Sequence, residues 1–207
     1  MQSRLADLVA RLAVKARPGL KRKLPGAMVV EVEGQLCLKV PATRGMFTLV
    51  DIEDAEMVLS RCWQARPGRN TWYASSDFGT HPDWIKIFLH RKILQCLPGT
   101  QVDHINGDGL DNRKKNLRLS TQSQNLGNSR LSRASTSGFK GVYWNKGKGR
   151  WTAEIGRGEH SRHAHLGHFH NIYDAARAYN AAAIAKWGEF ARLNTLPETI
   201  TTGEKKG

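Results

Sequence analysis

The chain has 207 residues and a formal net charge of +14, which favours a polyanionic partner such as nucleic acid because Lys and Arg displace counterions from phosphates. Its three cysteines are widely spaced and form no CxxC pair, which excludes a disulfide framework and a cysteine zinc site. No segment has the roughly 20 apolar residues of a membrane span, and the N-terminus lacks a secretory pattern, which predicts a cytoplasmic protein.

The first part of the chain is predicted to be rich in short strands. Residues 3–16 carry apolar side chains at helical spacing, which indicates a short amphipathic helix followed by a basic tail. Residues 28–40 alternate apolar and polar side chains around Glu33-Gly34, which is typical of a β-hairpin. Further strands are predicted at 47–50, 72–74 and 85–89, and helices at 51–60 and 90–97.

A strand, loop, strand and helix are predicted next, at 101–105, 106–112, 117–120 and from about Thr121. Residues 127–137 are rich in Ser, Gly and Arg and are interpreted as a linker. Three strand-like runs then precede a helix at 172–187, for which Asn171 is a good N-cap and Gly188 a good stop.

Residues 90–125 contain side chains suited to phosphodiester hydrolysis. Asp103 and His104 are adjacent, Asn116 lies twelve residues after His104, and Asn125 lies nine further on. A neutral histidine can deprotonate water near pH 7, and Asp and Asn oxygens suit a hard cation such as Mg²⁺. By themselves these residues also fit a polar hairpin, because Asn-Gly and Asp-Gly are ordinary turn dipeptides.

The string VDHINGDGLDNRKKNLR, with LHRKIL upstream and TQSQN downstream, resembles the phage-type HNH homing endonucleases over about 36 residues. The resemblance implies a ββα-metal core, also called a His-Me finger, in which His104 is the general base and Asn116 orients its ring and braces the loop. It further implies that Asp103 and Asn125 bind Mg²⁺ (or Mn²⁺). Asn125 stands where many members of the family carry a second histidine.

Basic residues around this segment are predicted to grip the DNA backbone, in preference to forming a solvated face. They are Arg91, Arg113, Lys114, Lys115 and Arg118. Among the neighbouring polar residues, Asn112 is a minor candidate for supporting the site, and His90 is interpreted as structural.

The C-terminal segment is predicted to form three strands whose inner face packs on an alanine-rich helix. The outer face of such a sheet can enter the major groove of DNA. Trp151 is interpreted as core or as a DNA contact, with the contact preferred. The other outward candidates are Lys140, Tyr143, Arg150, Glu154, Arg157, Arg162, His163 and His165.

The strings SGFKGVYW, WTAEI, LGHF and DAARAYNAAA resemble the plant Apetala-two/ethylene-response-factor DNA-binding domain over about 57 residues. That family reads DNA with its sheet. The resemblance therefore implies contacts at or beside Lys140, Tyr143, Arg150, Trp151, Glu154, His163 and His165. The row of five histidines from His160 to His170 lacks a partner cysteine, so a DNA-facing or exposed row is preferred over a metal cluster.

Together the patterns and the two resemblances imply an α+β fold: a ββα-metal nuclease core with a β-rich N-terminal extension, and a small three-stranded antiparallel sheet packed on one helix. The predicted divisions are a basic N-terminal helix and tail (1–24), a nuclease domain (25–126), a linker (127–137), a DNA-binding domain (138–196) and a polar tail (197–207).

The predicted function is a metal-dependent homing-type DNA endonuclease acting on double-stranded DNA in the cytoplasm of a bacterium or phage-infected host, without a membrane partner. A monomer is preferred, although the oligomeric state is left open. The alternative is a non-catalytic DNA-binding regulator with an inactive nuclease core.

Overall fold

The computed structural model describes residues 26–79, 83–156 and 163–197. The helix predicted at 3–16, the basic tail to residue 24, His160, Arg157 and Arg162 lie outside the described residues, as does the chain after Pro197. The chain divides into two compact units between Thr121 and Gln122. Each unit is a mixture of small antiparallel sheets and short helices.

The described part of the first unit contains three small antiparallel sheets. The first sheet joins β1 (Met28–Val32), β2 (Gln35–Pro41) and β3 (Phe47–Asp51) in that order. The second joins β4 (Gln64–Pro67), β5 (Trp72–Phe78) and β6 (Ile85–Phe88). The third pairs β7 (Gln101–His104) with β8 (Leu117–Ser120). Two short helices are α1 (Ala55–Leu59) and α2 (Leu89–Ile93).

The predicted hairpin at 28–40 is confirmed, because β1 and β2 pair from Met28↔Lys39 to Val32↔Gln35. Its turn places Glu33 and Gly34 at φ 54° and 74°, and glycine adopts that conformation without steric cost. β4 was not predicted, since its four residues include a proline and have no extended apolar alternation. The helix predicted at 90–97 is shorter, because it ends at Ile93 and Gln95 takes a positive φ of 50°.

The core of the first unit draws on β2, β3, β5, both helices and β8. Trp63 lies fully inside it, where its indole N–H donates to the carbonyl of Val58 at 2.8 Å. The buried members are Leu38, Val40, Val50, Ala55, Val58, Leu59, Trp63, Ala74, Leu89, Ile93 and Leu117. Val102 of β7 packs against this cluster, so the hairpin of β7 and β8 rests on a rigid base.

The second unit contains α3 (Gln122–Asn128), β9 (Val142–Asn145), β10 (Arg150–Ile155), β11 (Ala164–Phe169) and α4 (Ile172–Trp187). The three strands form one antiparallel sheet with β10 in the centre, and α4 packs on it. The helix has the predicted bounds. Asn171 caps it by accepting from the N–H of Tyr173 at 2.8 Å, and Gly188 follows its end at φ 53°.

Small side chains let α4 approach the sheet closely. Ala153 on β10 and Ala175, Ala176 and Ala183 on α4 are fully buried. Gly141 precedes β9 at φ +73°, and a Cβ added there would overlap the ring of Tyr179. The predicted packing of the sheet's inner face on an alanine-rich helix is therefore observed.

The boundary between the units falls before α3, whereas the sequence predicted the first domain to run to residue 126. α3 belongs to the second unit because Gly127 lies against Trp187, where an added Cβ would be 2.7 Å from the indole ring. The indole N–H also donates to Ser123 Oγ at 3.1 Å, and the N–H of Arg192 donates to the Gly127 carbonyl at 3.1 Å. In the part of the chain that the structure describes, no helix is long and apolar enough to cross a membrane.

Candidate active site

Asp103 and His104 lie at the end of β7, and both are buried, with exposed fractions of 7% and 5%. Asp103 pairs across the hairpin with Arg118, and His104 pairs with Leu117, so the two side chains start on opposite faces. The strand ends at His104, whose carbonyl accepts from the N–H of Gly107 at 2.7 Å to close a turn. The predicted end of the strand after this pair is confirmed within one residue.

Tyr73 of β5 lies near this pair. Its ring centroid lies 5.8 Å from that of His104. Burial and the nearby charge of Asp103 raise the pKa of the Tyr73 hydroxyl. Since the Asp103 charge acts on both Tyr73 and His104, the three groups share one electrostatic environment.

The His104 ring is held in an aromatic cluster that favours its neutral form. His90 packs edge-to-face against it at 5.1 Å between centroids, and Phe88 stacks on His90. Burial lowers the pKa of His104 and outweighs the hydrogen bond to the Asn112 amide oxygen and the charge of Asp103, which raise it. Burial also lowers the pKa of His90 to about 3, with the charge of His104 adding to the effect. A neutral imidazole is the form that a general base requires.

Asn116 braces the loop between β7 and β8. Its Oδ1 accepts from the N–H of Asn106 at 2.9 Å, and its Nδ2 donates to the carbonyl of Asp111 at 2.7 Å. Its own carbonyl accepts from the N–H of Ile105 at 2.9 Å. These bonds fit the predicted bracing role.

Asn112 contacts the His104 ring, a role that the sequence assigned to Asn116. The Nε2 of His104 lies 3.3 Å from Asn112 Oδ1, and Asn112 Nδ2 donates to Thr48 Oγ1 at 2.8 Å. Thr48 in turn donates to the carbonyl of Leu110 at 2.7 Å. The predicted role of Asn116 in orienting the ring is therefore corrected, because its side chain is turned into the loop.

Arg113 was predicted to grip DNA, but the structure places it in the interior with only 4% of its surface exposed. Its guanidinium makes a bidentate pair with Asp111, with Nε–Oδ1 at 2.8 Å and Nη2–Oδ2 at 2.6 Å. Burial alone raises the pKa of Asp111, but the bonds and charge of Arg113 outweigh it and lower that pKa. We therefore correct the role of Arg113 to that of a loop anchor.

The other predicted cations of this unit contact groups of the protein. Arg118 contacts Asp103 Oδ2 through Nε at 2.9 Å and through Nη2 at 2.8 Å. Lys114 pairs with Glu53 and Asp54, and Lys115 pairs with Glu33 at 2.8 Å. The Arg91 guanidinium donates to the carbonyls of Leu97 and Thr100. Contact of these four residues with DNA stays a prediction.

The donor chemistry fits a hard divalent cation. Asp103 offers a buried carboxylate that already has a positive partner, Arg118, and Asn125 lies partly buried on α3 in the second unit. Within residues 26–79, 83–156 and 163–197, no group of three or more His, Cys, Asp or Glu residues is arranged to hold a metal ion.

The outer face of the second unit's sheet gathers several of the predicted DNA contacts around Glu154. The Tyr143 hydroxyl donates to Glu154 Oε1 at 2.9 Å, and His163 Nδ1 lies 3.4 Å from Oε2. His165 Nδ1 lies 4.0 Å from Oε1. Arg150, at the start of the same strand, is exposed. This surface therefore carries aromatic, basic and acidic groups on a rigid sheet.

Two further residues predicted for this surface lie elsewhere. Lys140 donates to the carbonyl of Gly127 at 2.5 Å, which anchors α3, and burial lowers its pKa to about 8. The prediction that Lys140 points outward is therefore corrected. Trp151 packs against the core cluster of β10 and α4 and contacts Trp144 at 5.2 Å between ring centroids. This position favours the core interpretation of Trp151.

Thr48 and Tyr73 were not predicted from the sequence. Thr48 is fully buried on β3, 64 residues before Asn112, and Tyr73 is half-buried on β5. Each occupies a strand position without a distinctive local pattern. Thr48 contacts the loop between β7 and β8 from the first sheet, and Tyr73 contacts the His104 ring from the second sheet.

Comparison with known proteins adds to this geometry. Residues 96–126 match the family model of the HNH endonucleases. The chain is also similar to Protein 3.8 of Escherichia phage T7, with 35% identity over 57 residues, which are 28% of this chain and 47% of that relative. The match thus spans about half the length of this curated relative. No solved structure matches the chain.

The matched segment contains Asp103, His104, Asn116 and Asn125. HNH nucleases are typically dependent on a divalent metal. The match therefore suggests a nuclease or DNA-binding role for the part of the chain that holds the candidate site.

Proposed function

We propose that this protein is a metal-dependent HNH endonuclease of the homing type, which hydrolyses a phosphodiester bond of double-stranded DNA. The observation that carries the proposal is a buried histidine whose lowered pKa favours the neutral ring, beside a buried carboxylate at the end of β7. That pair lies inside the segment that matches the HNH family.

His104 acts as the general base: its neutral ring accepts the proton of the water molecule that attacks phosphorus. Asp103 would hold the divalent cation, with Asn125 as the second oxygen ligand that the sequence resemblance implies. Mg²⁺ or Mn²⁺, when bound, neutralises charge on the scissile phosphate and the leaving oxygen. Asn116 and the Asp111–Arg113 pair keep the intervening loop in place.

The second unit selects the site by presenting the outer face of its sheet to duplex DNA. Tyr143, Arg150, Glu154, His163 and His165 are the proposed contacts, together with Arg157 and Arg162 from the sequence alone. This division of labour follows the resemblance to the Apetala-two/ethylene-response-factor domain. The observed fold, three antiparallel strands packed on one helix, supports it.

A non-catalytic DNA-binding regulator is the second candidate function. The observation that favours it is the ion pair between Asp103 and Arg118, which neutralises the carboxylate proposed to bind the cation. In such a protein the first unit serves as a basic scaffold, and only the second unit contacts DNA.

A plasmid nicking assay separates the two functions. We expect the wild type to cut supercoiled plasmid or its own flanking genomic DNA with Mg²⁺ or Mn²⁺ and to stop with EDTA. His104→Ala should lower the rate at least about 100-fold, the usual contribution of a general base. His170→Ala, which removes an exposed histidine of the second unit, is the matched control and should cut normally. Wild-type protein that binds these DNAs and cuts neither would establish the regulator instead.

Duplex binding by the sheet is measured in the same preparations without metal. Arg150→Ala should weaken binding several-fold and reduce the slope of log K against log salt by about 1, because one phosphate contact is lost. Arg177→Ala is the control, since this exposed arginine lies on α4 and pairs with Asp174 at 2.5 Å. Equal effects of the two substitutions would show that the sheet has no special part in binding.

A further inference from the structure

A buried polar relay runs from His104 to the main chain through two side chains. Its members are the His104 ring, the Asn112 amide, the Thr48 hydroxyl and the Leu110 carbonyl. We propose that Asn112 and Thr48 are positioning residues that keep the neutral His104 ring in the tautomer with its hydrogen on Nε2. The inference rests on the proposed function, because it gives the general base its reactive nitrogen.

The direction of the relay follows from the number of hydrogens available. The Thr48 hydroxyl has one hydrogen and donates it to the carbonyl of Leu110 at 2.7 Å. Toward Asn112 it can therefore only accept, so the group 2.8 Å away must be the NH₂ of the amide. The same NH₂ lies 3.4 Å from the carbonyl of Gly109, which is also purely an acceptor.

This orientation turns the amide oxygen of Asn112 toward His104. Oδ1 lies 3.3 Å from Nε2, and an amide oxygen has no hydrogen to give. The hydrogen between them must therefore belong to Nε2. In a neutral imidazole the other nitrogen then carries the lone pair, so Nδ1 is the atom that accepts the proton from water.

Burial makes this arrangement hard to reverse. Asn112 and Thr48 are fully buried, and His104 is nearly so. Turning the amide over would place its NH₂ against Nε2–H and its oxygen against the Gly109 carbonyl. Polar groups without partners are costly in the interior, so the amide keeps one orientation and the ring keeps one tautomer.

The relay also ties the base to a distant strand. Thr48 belongs to β3 and lies 64 residues before Asn112, and the N–H of Leu49 donates to the same Leu110 carbonyl at 2.9 Å. The first sheet therefore fixes the loop and, through it, the ring. Outer partners of this kind typically change activity by about 10- to 100-fold when they are removed.

Thr48→Val is the variant that tests the relay, since it replaces the hydroxyl by a methyl group of similar size. The Leu110 carbonyl keeps its bond from Leu49, and the Asn112 amide loses its anchor. Thr48→Ser is the matched control, because it restores the hydroxyl. Circular dichroism of both variants confirms that they fold.

The tautomer is read from the ¹⁵N chemical shifts of labelled histidine in the full-length, metal-free protein. The His104 signals are those that disappear in His104→Ala. We expect hydrogen on Nε2 in the wild type and a mixture of tautomers in Thr48→Val. The nicking rate should fall about 10- to 100-fold in Thr48→Val at unchanged DNA affinity, and Thr48→Ser should recover both properties.

Three results decide the matter. Hydrogen on Nδ1 of the wild-type ring overturns the inference, whatever the nicking rate. An unchanged tautomer and rate in folded Thr48→Val overturn it as well. The third result is a wild-type ring with hydrogen on Nε2, a mixture of tautomers in Thr48→Val, and no cutting of DNA by the wild type. This result supports the relay and refutes the proposed endonuclease.

Discussion

The two units of this protein are stabilised by different kinds of contact. In the first unit, the loop between β7 and β8 is held by buried polar groups, of which the Asp111–Arg113 pair and the amides of Asn112 and Asn116 are the centre. In the second unit, α4 and the sheet meet through buried alanines and Gly141. The first unit buries the polar groups of its candidate site, whereas the second presents Tyr143 and Arg150 on its surface.

This difference follows from the function that is proposed for each unit. A general base must be held within a fraction of an ångström, and hydrogen bonds fix direction in a way that apolar contacts do not. A sheet that presents side chains to DNA needs only a rigid backbone, which close apolar packing supplies. The basic residues follow the same division: Arg113 is buried in an ion pair, while Arg150 is exposed.

Breaking the buried Asp111–Arg113 pair should have the largest effect on the free energy of unfolding. Arg113→Met removes the partner of a buried carboxylate, and we expect a loss of about 3–5 kcal/mol in the free energy of unfolding. Lys114→Met is the control, since it breaks a partly exposed pair with Glu53 and should cost about 1 kcal/mol or less. Urea unfolding of the first unit measures both.

The double variant Asp111→Asn/Arg113→Met sharpens this test, because it removes both charges. If the loss of stability in Arg113→Met is caused by the uncompensated charge of Asp111, the double variant should recover much of that stability. Since the folded-state pKa of Asp111 is lowered, its contribution should be present above about pH 4 and be lost as the solution becomes more acidic. An equal loss in single and double variants would instead point to packing.

Steric overlap in the second unit should have the next largest effect. Gly141→Ala forces an L-residue into a positive φ and pushes its methyl group into the Tyr179 ring, which together should cost about 2–4 kcal/mol. Gly149→Ala has a similar φ of +60° but open space around the added atom, so it should cost only about 1 kcal/mol. Thermal unfolding that ranks the two variants equally would show that α4 is not closely packed on the sheet.

The smallest effect on the free energy of unfolding should come from the ionisation of Tyr179 at alkaline pH. Burial raises the pKa of Tyr179 to about 12 from an ordinary value of 10.0, so the folded state holds this proton more tightly. The resulting stability is fully present below pH 10 and is lost as pH rises through 12, by about 2 kcal/mol. Tyr179→Phe should remove this dependence in urea unfolding, whereas Tyr143→Phe, at an exposed position, should retain it.

Local pattern was sufficient for much of the fold. The hairpin at 28–40, β8 and the helix at 172–187 were predicted because alternation, capping and turn residues act between neighbours in the chain. The string that contains Asp103, His104 and Asn116 likewise resembled the HNH family, and the family match to residues 96–126 supports that resemblance. Each of these inferences needed only a short stretch of sequence.

Tertiary structure decided how the side chains are used. Sequence cannot show that Arg113 is inside and paired, that Lys140 anchors α3, or that Asn112 contacts the His104 ring. It gave no reason to select Thr48, whose partner lies 64 residues away. The type and local spacing of a residue indicate its chemistry. Its burial and hydrogen-bond partners are set by distant strands, and those partners determine which charges can contact a ligand.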